Sequence, residues 1–146
     1  RLTLWNIFKM QTFLPYSCFK QTANCLDYRR LGKQRVEAFQ ILNILEDITP
    51  NSRWKTHPAV LMWKGYENAL KKYFNVISLE WISRGYKHNM GFYNCNDAII
   101  YPPWLGISEF HMAHQSNLIR KKPEFYIPIF GNIPDNLEYI WPVRNK

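Results

Sequence analysis

The sequence predicts a mainly α-helical protein built as a single compact domain, and three observations carry that prediction. Apolar residues recur at helical spacing through three long stretches, and proline, glycine and polar capping residues bound those stretches. Of the 146 residues, 47% are hydrophobic, which suffices for one core and is too short a chain for a second full domain. About four helices are expected, between an extended N-terminal arm and an aromatic, proline-rich C-terminal tail.

Residues 1–15, RLTLWNIFKMQTFLP, mix apolar and β-favouring residues without a helical period and close on Pro15, so an extended arm or short strand is predicted. From Ser17 to Leu45 the apolar spacing is helical with a break over Asn24 to Asp27, which gives a short helix followed by a long one. The run Ile48-Thr49-Pro50-Asn51-Ser52 ends it with turn chemistry. Pro58 suits a first helical position, and the helix it opens is expected to bend at Gly65 and run on to a left-handed stop at Gly85. Residues 86–106 carry Gly91, Gly106 and Pro102-Pro103 and read as a long loop around short extended pieces such as AIIY. Ser108 is the expected N-cap of a last helix, which Pro123 ends after Lys121. The remainder, PEFYIPIFGNIPDNLEYIWP, reads as an extended surface cover.

Nineteen Lys and Arg against eleven Asp and Glu leave a net charge of +8, a surplus that attracts polyanions. Aromatic residues reach 16%, which suits stacking on bases as well as filling a core. No run of about eighteen apolar residues and no cleavable export signal occurs, so neither a membrane partner nor secretion is expected. Cys18, Cys25 and Cys95 lack the close pairing of a zinc ribbon or disulfide framework, which points to a reducing intracellular setting, in cytoplasm or nucleoid or associated with a virus. No cofactor and no metal is expected.

The most informative stretch is LDYRRLGKQRVEAFQIL, residues 26–42. On a helical wheel Arg30, Lys33, Gln34 and Gln40 fall within about 60° of Glu37, while Leu31, Ala38, Leu42 and Leu45 take another side. Partial burial would raise the Glu37 pKa and the neighbouring cations would lower it, opposed pulls that mark a working acid or base. An ordinary Lys33–Glu37 surface pair fits the same spacing. Gly32 costs the helix roughly 1 kcal/mol, and a close approach of backbone to phosphate would justify it. A second set, His111, His114, Asn117, Arg120 and Lys121, forms one stripe suited to phosphate contact or merely to solvent. Two His at this spacing could also begin a metal site, but no third ligand is evident. A third set, in RWKTHP, offers Trp54, Lys55 and His57 just before a helix N-terminus. Trp54, Trp63 and Trp104 are candidate wedges against an unstacked duplex, or core.

In this order, the blocks MQTFLPY, LDYRRLGKQRVEAFQIL, WKTHPAVLMWKGYENAL, PPWLG, FHMAHQSNLIRKKP and YIWP resemble the pyrimidine-dimer DNA glycosylases of the phage endonuclease V type, and most closely a bacterial group similar to them. The likeness spans residues 10–142. Its link to the phage enzyme rests on the segment around Arg35 to Glu37, on Pro58 and on the helix end from Glu80 to Tyr86. The resemblance implies a monomeric enzyme that binds damaged double-stranded DNA, flips a nucleotide and cuts the glycosidic bond with an amine. An imine at C1′ then permits strand cleavage by β-elimination, the AP lyase step. It further implies that Glu37 is the essential carboxylate and that Arg29, Arg30, Lys33 and Arg35 hold the flanking phosphates. A non-catalytic DNA-binding or nucleoprotein component on the same scaffold is the alternative, and RNA binding shares the basic and aromatic features.

In the phage enzyme the nucleophile is the terminal amine, whereas here RLTLWNIFK precedes Met10, so residues 1–9 read as an extension and 10–146 as the glycosylase domain. The candidate amines are a terminus at Met10, a new terminus brought to the site by folding back, and Lys33, one turn from Glu37.

Overall fold

The computed structural model describes residues 10–49, 51–95 and 97–143, so the arm and extension expected over 1–9 lie outside the described residues. Among these residues six helices form and no strand does: α1 Phe19–Cys25, α2 Tyr28–Leu45, α3 Pro58–Leu61, α4 Glu67–Ser83, α5 Ser108–Lys121 and α6 Pro123–Phe130. The mainly helical class is as expected; the helix number is higher. The two long helices α2 and α4 pack on each other, burying Leu31, Ala38, Ile41 and Leu42 of one against Leu70, Tyr73, Phe74 and Ile77 of the other. Both helices follow the apolar period that a core-facing stripe requires.

The expected single helix from Pro58 to Gly85 is two helices. Gly65, at φ 89°, takes a left-handed turn that no continuous helix contains, and Tyr66 starts α4 afresh. Gly85, at φ 93°, is the left-handed stop that the sequence predicts. Next to it Arg84 pairs with Glu80 and turns its guanidinium onto the carbonyls of Ala23 and Leu26 at 3.1 and 2.8 Å, tying the end of α4 to the open end of α1. At α5 the cap is Ile107 and Ser108 is already helical, donating its hydroxyl to the Met112 sulfur.

The tail does not begin as an extended cover. Residues 123–130 form α6, because Pro123 has the fixed φ of a first turn and Pro128 sits close enough to the end to displace few bonds. The helix inserts Tyr126 into the core, where its hydroxyl bonds Asp27. Beyond it, 131–143 is irregular, in keeping with the expected cover.

Residues 10–15 are extended as expected, yet they are fully buried rather than a surface arm. Without a strand partner, their backbone groups must be met by side chains. Gln34 takes Gln11 O and Phe13 N, Tyr139 takes Thr12 O and Tyr73 takes Phe13 O. His114 and His111 hold Leu14 N and O, each at 2.7 Å, and Gln115 holds Pro15 O. The wedge candidates Trp63 and Trp104 are core residues, meeting edge to face at 5.0 Å, with the Trp63 indole donating to Thr12 Oγ1.

Gly32 is explained by protein rather than by phosphate. A Cβ there would come within 2.8 Å of two ring carbons of Trp81 on α4. That indole has little room to retreat, since Tyr86 stacks on it at 4.3 Å and its Nε1 donates to Lys87 O. Gly32→Ala would gain about 1 kcal/mol of helix propensity and lose about 1–3 to overpacking. A net fall in melting temperature is expected in thermal unfolding, accompanied by a changed Trp81 near-ultraviolet dichroism band; a raised melting temperature would show that the ring shifts freely.

Candidate active site

Helix α2 carries Glu37 on the turn that faces the buried segment 10–13, and the site is built between those two elements. Gln34, one turn earlier, is buried with it. Its Nε2 donates to Glu37 Oε1 and to Gln11 O, both at 3.1 Å, while its Oε1 accepts from Phe13 N at 2.9 Å and lies 2.7 Å from the Tyr73 hydroxyl, whose one proton it shares with Phe13 O. The backbone N–H of Gln11 also favours the charged form of Glu37. The carboxylate is therefore aimed by the Gln34 amide, which also ties it to the backbone of the buried segment at position 11.

Glu37 is 8% exposed and opens onto a cleft of about 260 Å³ lined by Gln11, Phe13, Arg29, Arg30, Lys33, Gln34 and Lys121. Burial pushes its pKa up to about 7; Lys33, the Gln11 N–H, Gln34 and Lys121 pull the other way and lose. At neutral pH such a group is populated in both forms, as an acid and a base must be. Lys33 Nζ stands 4.0 Å from Glu37 Oε2, but its side chain is 62% exposed, so the pair is loose and the lysine lacks a desolvated setting. Arg30 pairs with Asp27 at 3.2 Å, and Asp27 in turn accepts the Tyr126 hydroxyl. The Arg30 Nε has no hydrogen-bond partner among the described residues.

The other sequence candidates lie elsewhere. Arg35 turns away from the cleft, with its guanidinium 4.6 Å from the Trp81 ring centre and Nη1 donating to His88 Nδ1 at 2.8 Å. Met10 is buried beside a separate hollow of about 270 Å³ that Gln40, Asn43, Ser52 and the half-buried Trp54 also line. Lys55 is exposed, and His57 is buried, its ring accepting from Ala59 N at the start of α3 and meeting Trp141 edge to face. His111 and His114 are buried on Leu14, where burial lowers both pKa values; His111 accepts from Gly106 N and so donates to Leu14 O as a neutral ring. Asn117 is half-buried, and Arg120 spends Nη1 on Ser116 Oγ and the carbonyls of Asp135 and Leu137. Of that stripe Lys121 alone lines the cleft. Among the described residues no three His, Cys, Asp or Glu side chains converge as metal ligands, and no helix is long and apolar enough to cross a membrane.

Two site residues were not singled out by the sequence, Gln34 as the aligner of Glu37 and Gln11 as the backbone it is aligned to. The wheel had placed Gln34 on the Glu37 face, and that was the available signal.

Folding raises the Glu37 pKa from 4.5 to about 7, so the fold favours the protonated form. The stabilisation is fully present below the unfolded value and is lost as pH rises through the folded one. Glu37→Gln is therefore expected to gain stability over the parent as pH rises, by about 2–3 kcal/mol near pH 8, in thermal unfolding scanned from acid to mildly alkaline buffer. A difference that stays constant with pH would show that the carboxyl is not held against ionisation.

A buried acid of near-neutral pKa under a rim of four cations is an arrangement suited to chemistry on a polyanion. No curated protein and no solved structure matches the chain. One family model does, that of pyrimidine dimer DNA glycosylase, over residues 10–94, a span that includes the buried segment, all of α2 and every cleft residue except Lys121. With more than half of the sequence matched, the protein belongs to the pyrimidine dimer DNA glycosylase family.

Proposed function

We propose that the Glu37 cleft receives a flipped nucleotide of dimer-containing duplex DNA and that the protein couples base excision to AP lyase cleavage through an imine. The observation that supports this best is the Glu37 carboxyl itself, buried so that its pKa is pushed up to about 7, and ringed by Arg29, Arg30, Lys33 and Lys121. The cations take the flanking phosphates, and the acid works on the sugar between them.

In this reading an amine nitrogen bonds to C1′ as the glycosidic C1′–N bond breaks and its electron pair leaves with the base, which takes up a proton. Protonated Glu37 then gives its proton to the ring oxygen as the sugar opens to the imine. The resulting carboxylate removes a proton from C2′, and the 3′ phosphate leaves. Lys33 Nζ is an amine already in the cleft. In the chain as given the Gln11 nitrogen is a peptide nitrogen and cannot attack, but a form beginning at position 10 or 11 would carry its free amine on the buried segment that lines the cleft with Glu37.

Borohydride added to the protein and a dimer-containing duplex is expected to trap a covalent adduct, made with forms beginning at Arg1, Met10 and Gln11, each with and without Lys33→Ala. Peptide mapping then names the nitrogen, and absence of an adduct from every form removes the imine step. Glu37→Gln is expected to lower strand cutting by about 10²–10⁴-fold with binding retained. Arg29→Ala should weaken binding to all sequences alike and reduce the salt-dependence slope by about one. If Glu37→Gln leaves cutting unchanged, Glu37 takes no part in the reaction; if the parent binds dimer-containing duplex without cutting it, the protein is a DNA binder without this chemistry.

A further inference from the structure

Beside the cleft, the start of α2 and the end of α4 carry a second aromatic and cationic face. Tyr86 stacks on Trp81 at 4.3 Å and 24°, and Tyr28 lies 6.0 Å from Tyr86 at 20°, so three rings run nearly parallel. Trp81 is spoken for, since it packs on Gly32. The other two are open to solvent, Tyr28 at the end of the ladder at 46% and Tyr86 in its middle at 40%. Guanidinium groups accompany the rings, Arg29 at 5.7 Å from Tyr28 and Arg35 at 4.6 Å from Trp81, and the exposed Lys87 follows Tyr86. The acids nearest in sequence, Asp27 and Glu80, are paired with Arg30 and Arg84. The face is thus aromatic and positive together, the combination that takes bases by their π-faces and phosphates by charge. It also continues from the cleft, because Arg29 lines that cleft and borders the Tyr28 ring at once.

We infer that the Tyr28–Tyr86–Trp81 ladder is a stacking site for an unpaired nucleobase of the DNA strand as it leaves the cleft. The inference rests on the proposed placement of DNA in that cleft. Every base offers a π-face, so the ladder takes any base that has left its partner, and a fully paired duplex has none to offer. The site would hold open the strand next to the lesion without reading its sequence.

The test uses a single-stranded oligonucleotide carrying 2-aminopurine, the same sequence fully paired, and a dimer-containing duplex for cutting. The proteins are the full chain, Tyr28→Ala, Tyr86→Ala and Tyr28→Phe. Each alanine variant is expected to weaken single-strand affinity about tenfold and to abolish quenching of 2-aminopurine, while Tyr28→Phe keeps both, since it keeps the ring. The salt slope should not change in Tyr28→Ala, because no phosphate contact is removed. Parent-like affinity and quenching in both alanine variants overturn the inference, as does an equal loss for the paired duplex or a loss in Tyr28→Phe matching that in Tyr28→Ala. If the parent cuts dimers while the alanine variants bind like it, the ladder alone is refuted. If the parent binds single strands through Tyr28 but cuts no dimer, the ladder stands and the repair reading falls.

Discussion

The geometry of the candidate site depends on one side chain, the amide of Gln34. A primary amide has two N–H donors and an oxygen that accepts twice, and Gln34 uses all four, toward Gln11, Glu37, Phe13 and Tyr73. Because its partners lie on α2 itself, on α4 and on the segment 10–13, the amide ties those three elements into a single network. Buried networks of this kind are strong when every member is satisfied and costly when one is missing. Glutamate in place of Gln34 would set a second carboxylate against Glu37, and a hydrocarbon would strand the Phe13 N–H and the Gln11 carbonyl.

The electrostatics of the cleft follow from that placement. Fixed by Gln34 and the Gln11 backbone, Glu37 cannot swing out to meet its cations in water, so burial decides its proton affinity. The 4.0 Å pair with an exposed Lys33 is too loose to reverse this, exposed pairs being worth about 0–1 kcal/mol. The cations remain oriented to solvent, where a polyanion would meet them, and Asp27 restrains Arg30 without removing it from the rim.

What the sequence made legible was local. The period of α2 placed Glu37, Gln34, Arg30 and Lys33 on one face, and Pro58 and Gly85 marked a helix start and a stop, because caps and amphipathic stripes are written in neighbouring residues. Three features were not legible, each for a physical reason. His111 and His114 have the same spacing whether they face phosphate or Leu14, since histidine suits both water and a buried backbone. Gly32 is matched to an indole on another helix, and no local pattern reports such a contact. The prolines of PEFYIPIF look like breakers, yet at a first turn and near an end they cost a short helix little.

The clamp of His111, His114 and Gln115 on Leu14 and Pro15 joins positions about a hundred residues apart. During synthesis, the acid-bearing helix therefore emerges long before the parts that seat the segment beneath it, and such distant closures are the slow ones. A nascent chain halted ahead of α5 would display its carboxyl and most of its positive charge without the clamp that seats the segment 10–15, so the cleft takes its shape only as the final quarter leaves the ribosome.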